Sequence, residues 1–254
     1  MTDRADVVRR LRAAGCVWAE DEAELLLASG GDVEAKVARR ESGEPLEVVL
    51  GFAELAGVRV ELDPGVFVPR RRSELLVRLA REHASVGGPP VVVDLCCGSG
   101  AVGVAVVAGL PRFALHAADV DPVAVACARR NVEPLGGTAY AGDLYDALPA
   151  DLRADVLVVN APYVPTGEID LQPREAREHE PRTALDGGVD GVEIQRRVAL
   201  GAPDHLAGGG LLLLETSAAQ APLTTAAVEA AGLLASVVHD DDLDATVVLG
   251  RRPA

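Results

Sequence analysis

The chain has 254 residues, of which 49% are hydrophobic and 25% charged. That balance excludes a disordered or collagen-like chain and suits one large α/β domain with at most a small appendage. The net charge of −15 repels phosphate backbones at long range and weighs against non-specific nucleic-acid binding.

The start, Met1-Thr2-Asp3-Arg4-Ala5-Asp6, carries acids where a secretory signal has a positive region ahead of an apolar one. Residues 1–50 read as short helices. Asp6–Ala14 spaces Val7, Val8 and Leu11 along one helical face, Asp21–Ala28 carries Leu25–Leu27, and Asp32 suits the N-cap of Val33–Arg40 after the Ser29-Gly30-Gly31 break. This region is too small for a core of its own and is expected to cap the main domain. Residues 51–72 form a linker. In it Val58, Val60 and Leu62 alternate ahead of Asp63-Pro64-Gly65, which predicts a hairpin. Pro69 and the arginines Arg70, Arg71 and Arg72 follow, read as a solvated face with one structural ion pair. Ser73 is placed to cap a helix running to about His83.

Residues 73–254 read as the main domain. From Pro90 onward strands and helices alternate. Val91–Leu95 is a continuous apolar run, as in a strand buried on both faces. Cys97–Gly100 is a glycine turn and Ala101–Ala108 a small-residue helix. Phe113–Ala118 is a second strand ending at Asp119, and Pro122–Asn131 a helix with proline in its first turn. Thr138–Tyr140, Val156–Val159 and Leu211–Leu214 are further strands, with helices over Gly191–Leu206 and Ala218–Ala231. Val164–Thr183 is a long stretch rich in charge and proline, of the kind that forms lids or substrate contacts. The last two runs, Leu234–Val238 and Ala245–Leu249, are joined by a connection too short for a parallel crossover, so they must be antiparallel. A mostly parallel, Rossmann-like sheet with a terminal antiparallel hairpin is the expected fold.

The stretch Asp94-Leu95-Cys96-Cys97-Gly98-Ser99-Gly100-Ala101-Val102-Gly103 also spells G-x-G-x-x-G, with Asp119 following. By spacing alone it reads as a dinucleotide site. Three features oppose that. Asp94 and three further residues separate the strand end from the first glycine. A carboxylate beside a pyrophosphate is electrostatically unfavourable. The terminal hairpin is not part of the usual dinucleotide fold. The same residues suit S-adenosylmethionine, which carries an ammonium and a sulfonium and no phosphate. Asp94 faces the ammonium in this reading. Gly98 and Gly100 admit the methionine moiety without Cβ clashes. Asp119 accepts the ribose hydroxyls, and Asp143, ending the next strand, accepts the adenine amino group. The adjacent Cys96 and Cys97, with Cys16 and Cys127, suit neither a disulfide framework nor a metal site and read as buried thiols in a reducing compartment. The histidines lack ligand spacing, so no metal is expected. The longest uncharged stretch, Leu95–Pro111, is glycine-studded and shorter than the ~20 apolar residues that span a bilayer. A cytoplasmic protein without membrane contact is expected.

After the fourth strand stands Asn160-Ala161-Pro162-Tyr163, at the strand ends where α/β sheets place ligands. With it the chain resembles the HemK/PrmC family of protein-glutamine N5-methyltransferases, whose motif here is Asn-Pro-Pro-Tyr. The likeness runs from about residue 45 to the end. It takes in Val68-Pro69-Arg70…Glu74 (the family's I-P-R-P-E-T-E), Asp94–Gly100, Asp119-Val120-Asp121-Pro122, Gly142-Asp143-Leu144, Glu180-Pro181…Ala184-Leu185…Gly187-Gly188…Asp190-Gly191, and Leu214-Glu215…Gln220. The resemblance implies a class I methyltransferase fold, S-adenosylmethionine as cofactor with S-adenosylhomocysteine as product, and a glutamine side chain as methyl acceptor. The substrate it implies is a protein, with the Gly-Gly-Gln loop of peptide-chain release factors as candidate. It adds Cys96, Val120, Leu144 and Asn160 to the cofactor contacts and gives the whole tetrapeptide as the catalytic set. An amide nitrogen is a poor nucleophile because its lone pair is delocalised; the Asn160 side-chain oxygen and the Ala161 carbonyl are the two acceptors placed to hold its N–H bonds, with Tyr163 against the amide plane or the cofactor. The chain departs from the family at Ala161, which replaces proline, and at Arg71 and Arg72, which replace Pro and Glu. Its N-terminal helical part is also short. Methylation of an exocyclic base amine in nucleic acid, and a silent cofactor-binding partner subunit, stand as alternatives.

Overall fold

A computed structural model describes residues 3–86 and 88–254. Met1 and Thr2, the first two residues of the acidic start, lie outside them. The chain opens with four helices, α1 (Arg4–Ala13), α2 (Ala19–Ala28), α3 (Val33–Glu41) and α4 (Leu46–Leu50). Asp32 caps α3 as its sequence suggested, its carboxylate accepting the Ala35 N–H at 3.0 Å. The short α4 was not foreseen, because five residues are too few to show a helical period.

This region does hold a core, against expectation. Val7, Leu11, Ala23, Leu26, Val37 and Val49 are buried together. A buried ion pair closes it: Arg40 Nε to Glu22 Oε2 at 2.6 Å, with side chains 8% and 10% exposed. Short apolar faces suffice once a paired guanidinium fills the space between helices.

Strands β1 (Phe52–Leu55) and β2 (Val58–Glu61) pair as a hairpin. Its reversal lies at Ala56-Gly57, both with positive φ, and not at Asp63-Pro64-Gly65, which turns the chain only after the hairpin is complete. Two positive-φ residues match the twist of paired strands better than a Pro-Gly corner.

Then come α5 (Ser73–Ala84), β3 (Val91–Leu95), α6 (Ala101–Val107), β4 (Ala114–Asp119), α7 (Pro122–Val132), β5 (Thr138–Ala141), β6 (Ala154–Val159), α8 (Arg174–His179), α9 (Glu193–His205), β7 (Leu206–Thr216), α10 (Ala221–Ala230), β8 (Leu234–Asp240) and β9 (Ala245–Arg251). The main sheet runs β5-β4-β3-β6-β7-β9-β8. Its first five strands are parallel, while β9 is antiparallel to both β7 and β8. Apolar side chains cover both faces. Val92, Val156 and Leu213 pack with α5, α6 and α7, and Val93, Leu157 and Leu212 with α9 and α10. The alternation within each strand assigns neighbours to opposite layers.

Two expectations need correction. Ser73 does not cap α5; it is the first helical residue, 1% exposed, and makes no cap hydrogen bond. The stretch 164–183 is not irregular throughout. It carries a 3-10 helix over Thr166–Leu171 and α8, short elements whose charged, proline-rich sequence hides their period. Among the described residues no helix is long and apolar enough to cross a membrane.

Candidate active site

The carboxyl ends of β3, β4 and β6 open into a cavity of about 810 Å³. The turn after β3 bends through Cys96 (φ 55°), Gly98 (φ 55°) and Gly100 (φ 78°). A non-glycine residue at positive φ is strained, so something must hold it. Asp119 does part of this: its Oδ2 accepts the Gly98 N–H at 2.9 Å, and its Oδ1 accepts the Asp121 N–H at 2.9 Å. The Cys97 N–H bonds the Ala118 carbonyl at 3.1 Å. All four cysteines are free thiols, Cys97 and Cys127 buried, Cys16 and Cys96 half-buried.

Asp94 is 1% exposed and accepts the Gly103 N–H at 2.8 Å. Burial pushes its carboxyl up to about 8, with that hydrogen bond opposing and Asp119 adding to the rise. Burial likewise raises the Asp119 carboxyl. Carboxyls held this way favour a cationic occupant, because a positive charge restores the ionised form. Among the described residues no basic side chain lines the turn; the arginines Arg70 and Arg72 on the wall come from the segment before α5. This end of the cavity therefore suits a cationic ligand and not a diphosphate.

Asp94, Cys96, Gly98, Asp119, Val120, Asp143, Leu144 and Asn160 all line the cavity, and so do Ala161, Pro162 and Tyr163. Gly100 does not. A Cβ there meets Val132 Cγ2 at 3.0 Å and Ala128 Cβ at 3.5 Å. Its glycine serves the packing of the turn on α7, and the ligand-approach reading of Gly100 is corrected on that ground. At Gly98 a Cβ meets nothing within 4 Å, as expected of an atom directed at ligand space. Asp143 also sits differently from expectation. β5 ends at Ala141, and the Asp143 carboxylate is held by Arg197 at 2.6 Å. Leu144, at φ 49°, and the exposed Val120 give this end an apolar edge.

The tetrapeptide follows β6. The Asn160 Nδ2 donates to the Ser73 hydroxyl at 3.2 Å, which leaves Oδ1 as the free acceptor. Among the described residues no donor bonds Asn160 Oδ1 or the Ala161 carbonyl. The Tyr163 hydroxyl donates to Glu215 Oε1 at 3.4 Å, and the Gln220 side-chain amide donates to the Tyr163 carbonyl at 2.8 Å. Burial pushes the Tyr163 phenol upward, so it stays neutral at physiological pH. Glu215 is 1% exposed; burial raises its carboxyl, while Ser73, Arg72 and Tyr163 oppose. Glu180 Oε1 accepts from Val68 N–H at 3.2 Å and from Arg70 at 2.5 Å, and burial raises its carboxyl too. Two of the three arginines thus face a buried acid, Arg70 at Glu180 and Arg72 at Glu215, where one ion pair was expected.

Ser73, Glu180, Glu215 and Gln220 support the site without having been assigned a role from sequence. For Glu215 a signal was present: a lone carboxylate closing the apolar run Leu211–Leu214 is costly to bury without purpose. For Ser73 there was none, since its serine also suits a cap.

The family model described as Methyltransferase small domain matches residues 57–176. Release factor glutamine methyltransferase from Geobacter sulfurreducens is 38% identical over 73% of this chain and 65% of its own length, so the chain spans just under two thirds of that relative. The enzyme of that name from Bordetella pertussis is 39% identical over 77% of this chain and 73% of its own. A 4-amino-L-phenylalanine/4-methylamino-L-phenylalanine methyltransferase from Streptomyces pristinaespiralis is 36% identical over 90% of this chain and 80% of its own. Among solved structures, a methyltransferase from Pyrococcus furiosus superposes with TM-score 0.57 at 15% identity, covering 87% of this chain and 98% of its own.

Proposed function

The chain belongs to the family of release factor glutamine methyltransferases, and on that premise we propose that it moves a methyl group from S-adenosylmethionine to the side-chain amide nitrogen of a protein glutamine, with a peptide-chain release factor as candidate acceptor. When bound, the cofactor supplies an electrophilic methyl carbon on a sulfonium. Asp94 holds its ammonium, Gly98 admits its methionine backbone, Asp119 takes its ribose hydroxyls, and Cys96, Val120, Asp143 and Leu144 surround its base and ribose. The acid-lined turn, with no basic group among the described residues that line it, supports this assignment over a dinucleotide.

The observation that carries the proposal is the locked carboxamide of Asn160. With Nδ2 tied to Ser73, Oδ1 is fixed as an acceptor beside the unpartnered Ala161 carbonyl. A substrate amide has two N–H bonds in one plane. Two acceptors hold both, orient the nitrogen, and draw density toward it. In-line transfer then needs that nitrogen about 3 Å from the methyl carbon. Pro162 stiffens the segment and Tyr163 forms the wall. Incubation with labelled cofactor and recombinant release factor tests the proposal. Label on a glutamine supports it; label only on nucleic acid removes it.

A second reading has an observation of its own. The relative named for 4-amino-L-phenylalanine is 36% identical over 90% of this chain, a span matched by the release factor glutamine methyltransferase of Bifidobacterium longum, 31% identical over 91%, so likeness of that extent is shared by enzymes of both acceptors. An arylamine also presents two N–H bonds from a near-planar nitrogen, so the same two acceptors would serve.

A further inference from the structure

The charges on the acceptor side of the cavity are unevenly satisfied. Glu180 is paired with Arg70, Glu175 with Arg40, Asp186 with Arg182 and Asp190 with Arg196. Arg72 has only a looser ion pair, without a hydrogen bond. Its nearest carboxylate oxygen, on Glu215, lies 3.7 Å from Nε, beyond hydrogen-bond reach. Among the described residues no group accepts a hydrogen bond from its guanidinium. The side chain is 43% exposed, lines the cavity, and stands 5.7 Å from the centre of the Tyr163 ring. The next residue, Ser73, touches Asn160. Five donors in a fixed fork are therefore presented on the wall of the cavity that Asn160 and Ala161 also line, near the Tyr163 ring. A guanidinium fork matches a carboxylate in geometry and charge.

We propose that Arg72 is a specificity-determining residue that receives an anionic oxygen group, a carboxylate, carried by the acceptor near its methylated nitrogen. The inference rests on the methyl-transfer reading and narrows its acceptor. Such a carboxylate comes from an acidic residue flanking the target glutamine, or from the free α-carboxylate of an amino acid. An overall charge of −15 makes a local cation at the acceptor end the more selective, because the rest of the surface repels anions.

The test uses matched probes that differ only in the carboxylate. One pair is the blocked peptide Gly-Gln-Asp-Gly and its Asp-to-Asn counterpart. The other is 4-amino-L-phenylalanine and its carboxamide. Dissociation constants come from calorimetry in the presence of S-adenosylhomocysteine, and kcat/KM from labelled methyl transfer. For the intact chain the carboxylate member of at least one pair is expected to win by about tenfold or more, the range of a charge-assisted hydrogen bond. Which pair shows the gap identifies the source of the carboxylate. Arg72→Gln is expected to bring that ratio toward one, and Arg72→Glu to invert it; thermal melting checks that both variants fold. Ratios near one for the intact chain in both pairs, or ratios unchanged by Arg72→Gln, overturn the proposal. Binding of S-adenosylhomocysteine with no transfer to any probe counts against the methyl-transfer reading itself and takes the Arg72 role with it, whereas transfer without charge preference removes the Arg72 role alone.

Discussion

Gly98 and Gly100 share a left-handed backbone and two residues of separation, yet the structure gives them different work, and alanine at each separates the two. The left-handed conformation costs a residue with a Cβ roughly 1–2 kcal/mol. At Gly98 little is added, because a Cβ there meets nothing within 4 Å. At Gly100 the Cβ meets Val132 Cγ2 at 3.0 Å and Ala128 Cβ at 3.5 Å, and overpacking adds about 1–3 kcal/mol. A domain of this size loses roughly 2–4 °C of Tm per kcal/mol. Gly98→Ala is thus expected to lower Tm by about 2–8 °C, and Gly100→Ala by about 4–20 °C. Ligand affinity reverses the order. The Gly98 methyl enters the space assigned to the methionine moiety and weakens binding by about fivefold to a hundredfold, while the Gly100 methyl lies on the α7 side and leaves affinity within about threefold. Scanning fluorimetry without ligand and calorimetry with S-adenosylhomocysteine measure both. A larger affinity loss at Gly100 than at Gly98 would refute the division of labour.

Asn160→Ala removes an oriented acceptor and is expected to cut kcat by about a hundredfold or more, comparable to losing one preorganised hydrogen-bonding group, with cofactor dissociation constants changed only a few-fold by calorimetry. Asp94 gives a pH dependence of known sign. Its folded carboxyl titrates near 8 against about 3.9 when exposed, so its contribution to stability is fully present below about pH 4 and is lost as pH rises toward 8. Cofactor binding runs the opposite way: the ionised carboxylate is the form that holds an ammonium, so affinity should rise from pH 6 to 8, and Asp94→Asn should flatten that rise in a calorimetric pH series. Arg40→Ala leaves Glu22 buried without its partner and is expected to cost about 3–5 kcal/mol in urea unfolding. Ser73→Ala frees the Asn160 carboxamide to rotate, with an expected several-fold fall in kcat and cofactor affinity little changed, read by the same transfer assay.

The mostly parallel sheet and the final hairpin were legible because physical necessity left few alternatives. Val91–Leu95 is apolar on both faces and must be a central strand; a short link between the last two runs forbids a crossover. The acids at strand ends were legible for a similar reason, since Asp94 and Asp119 interrupt apolar runs where burial of charge is costly. What stayed hidden depends on contacts between distant segments. Gly100 and Gly98 look alike in sequence, and only the approach of Val132 tells them apart. Asp143 was placed by its motif, but Arg197, on α9, decides where its carboxylate points. Ser73 reads as a cap from its neighbours and becomes an orienting group only when β6 brings Asn160 beside it. The small helices at 166–179 lack length, so neither period nor propensity could reveal them.

The account stands most directly on where the methyl group ends. The decisive measurement is mass spectrometry of protein and RNA from cells with and without the gene, with fragmentation to locate any mark that is lost. A single methyl on a side-chain amide nitrogen of a protein glutamine, restored by the intact gene and not by Asn160→Ala, is the expected result. A missing methyl on a nucleic-acid base, with every protein amide unchanged, would contradict it.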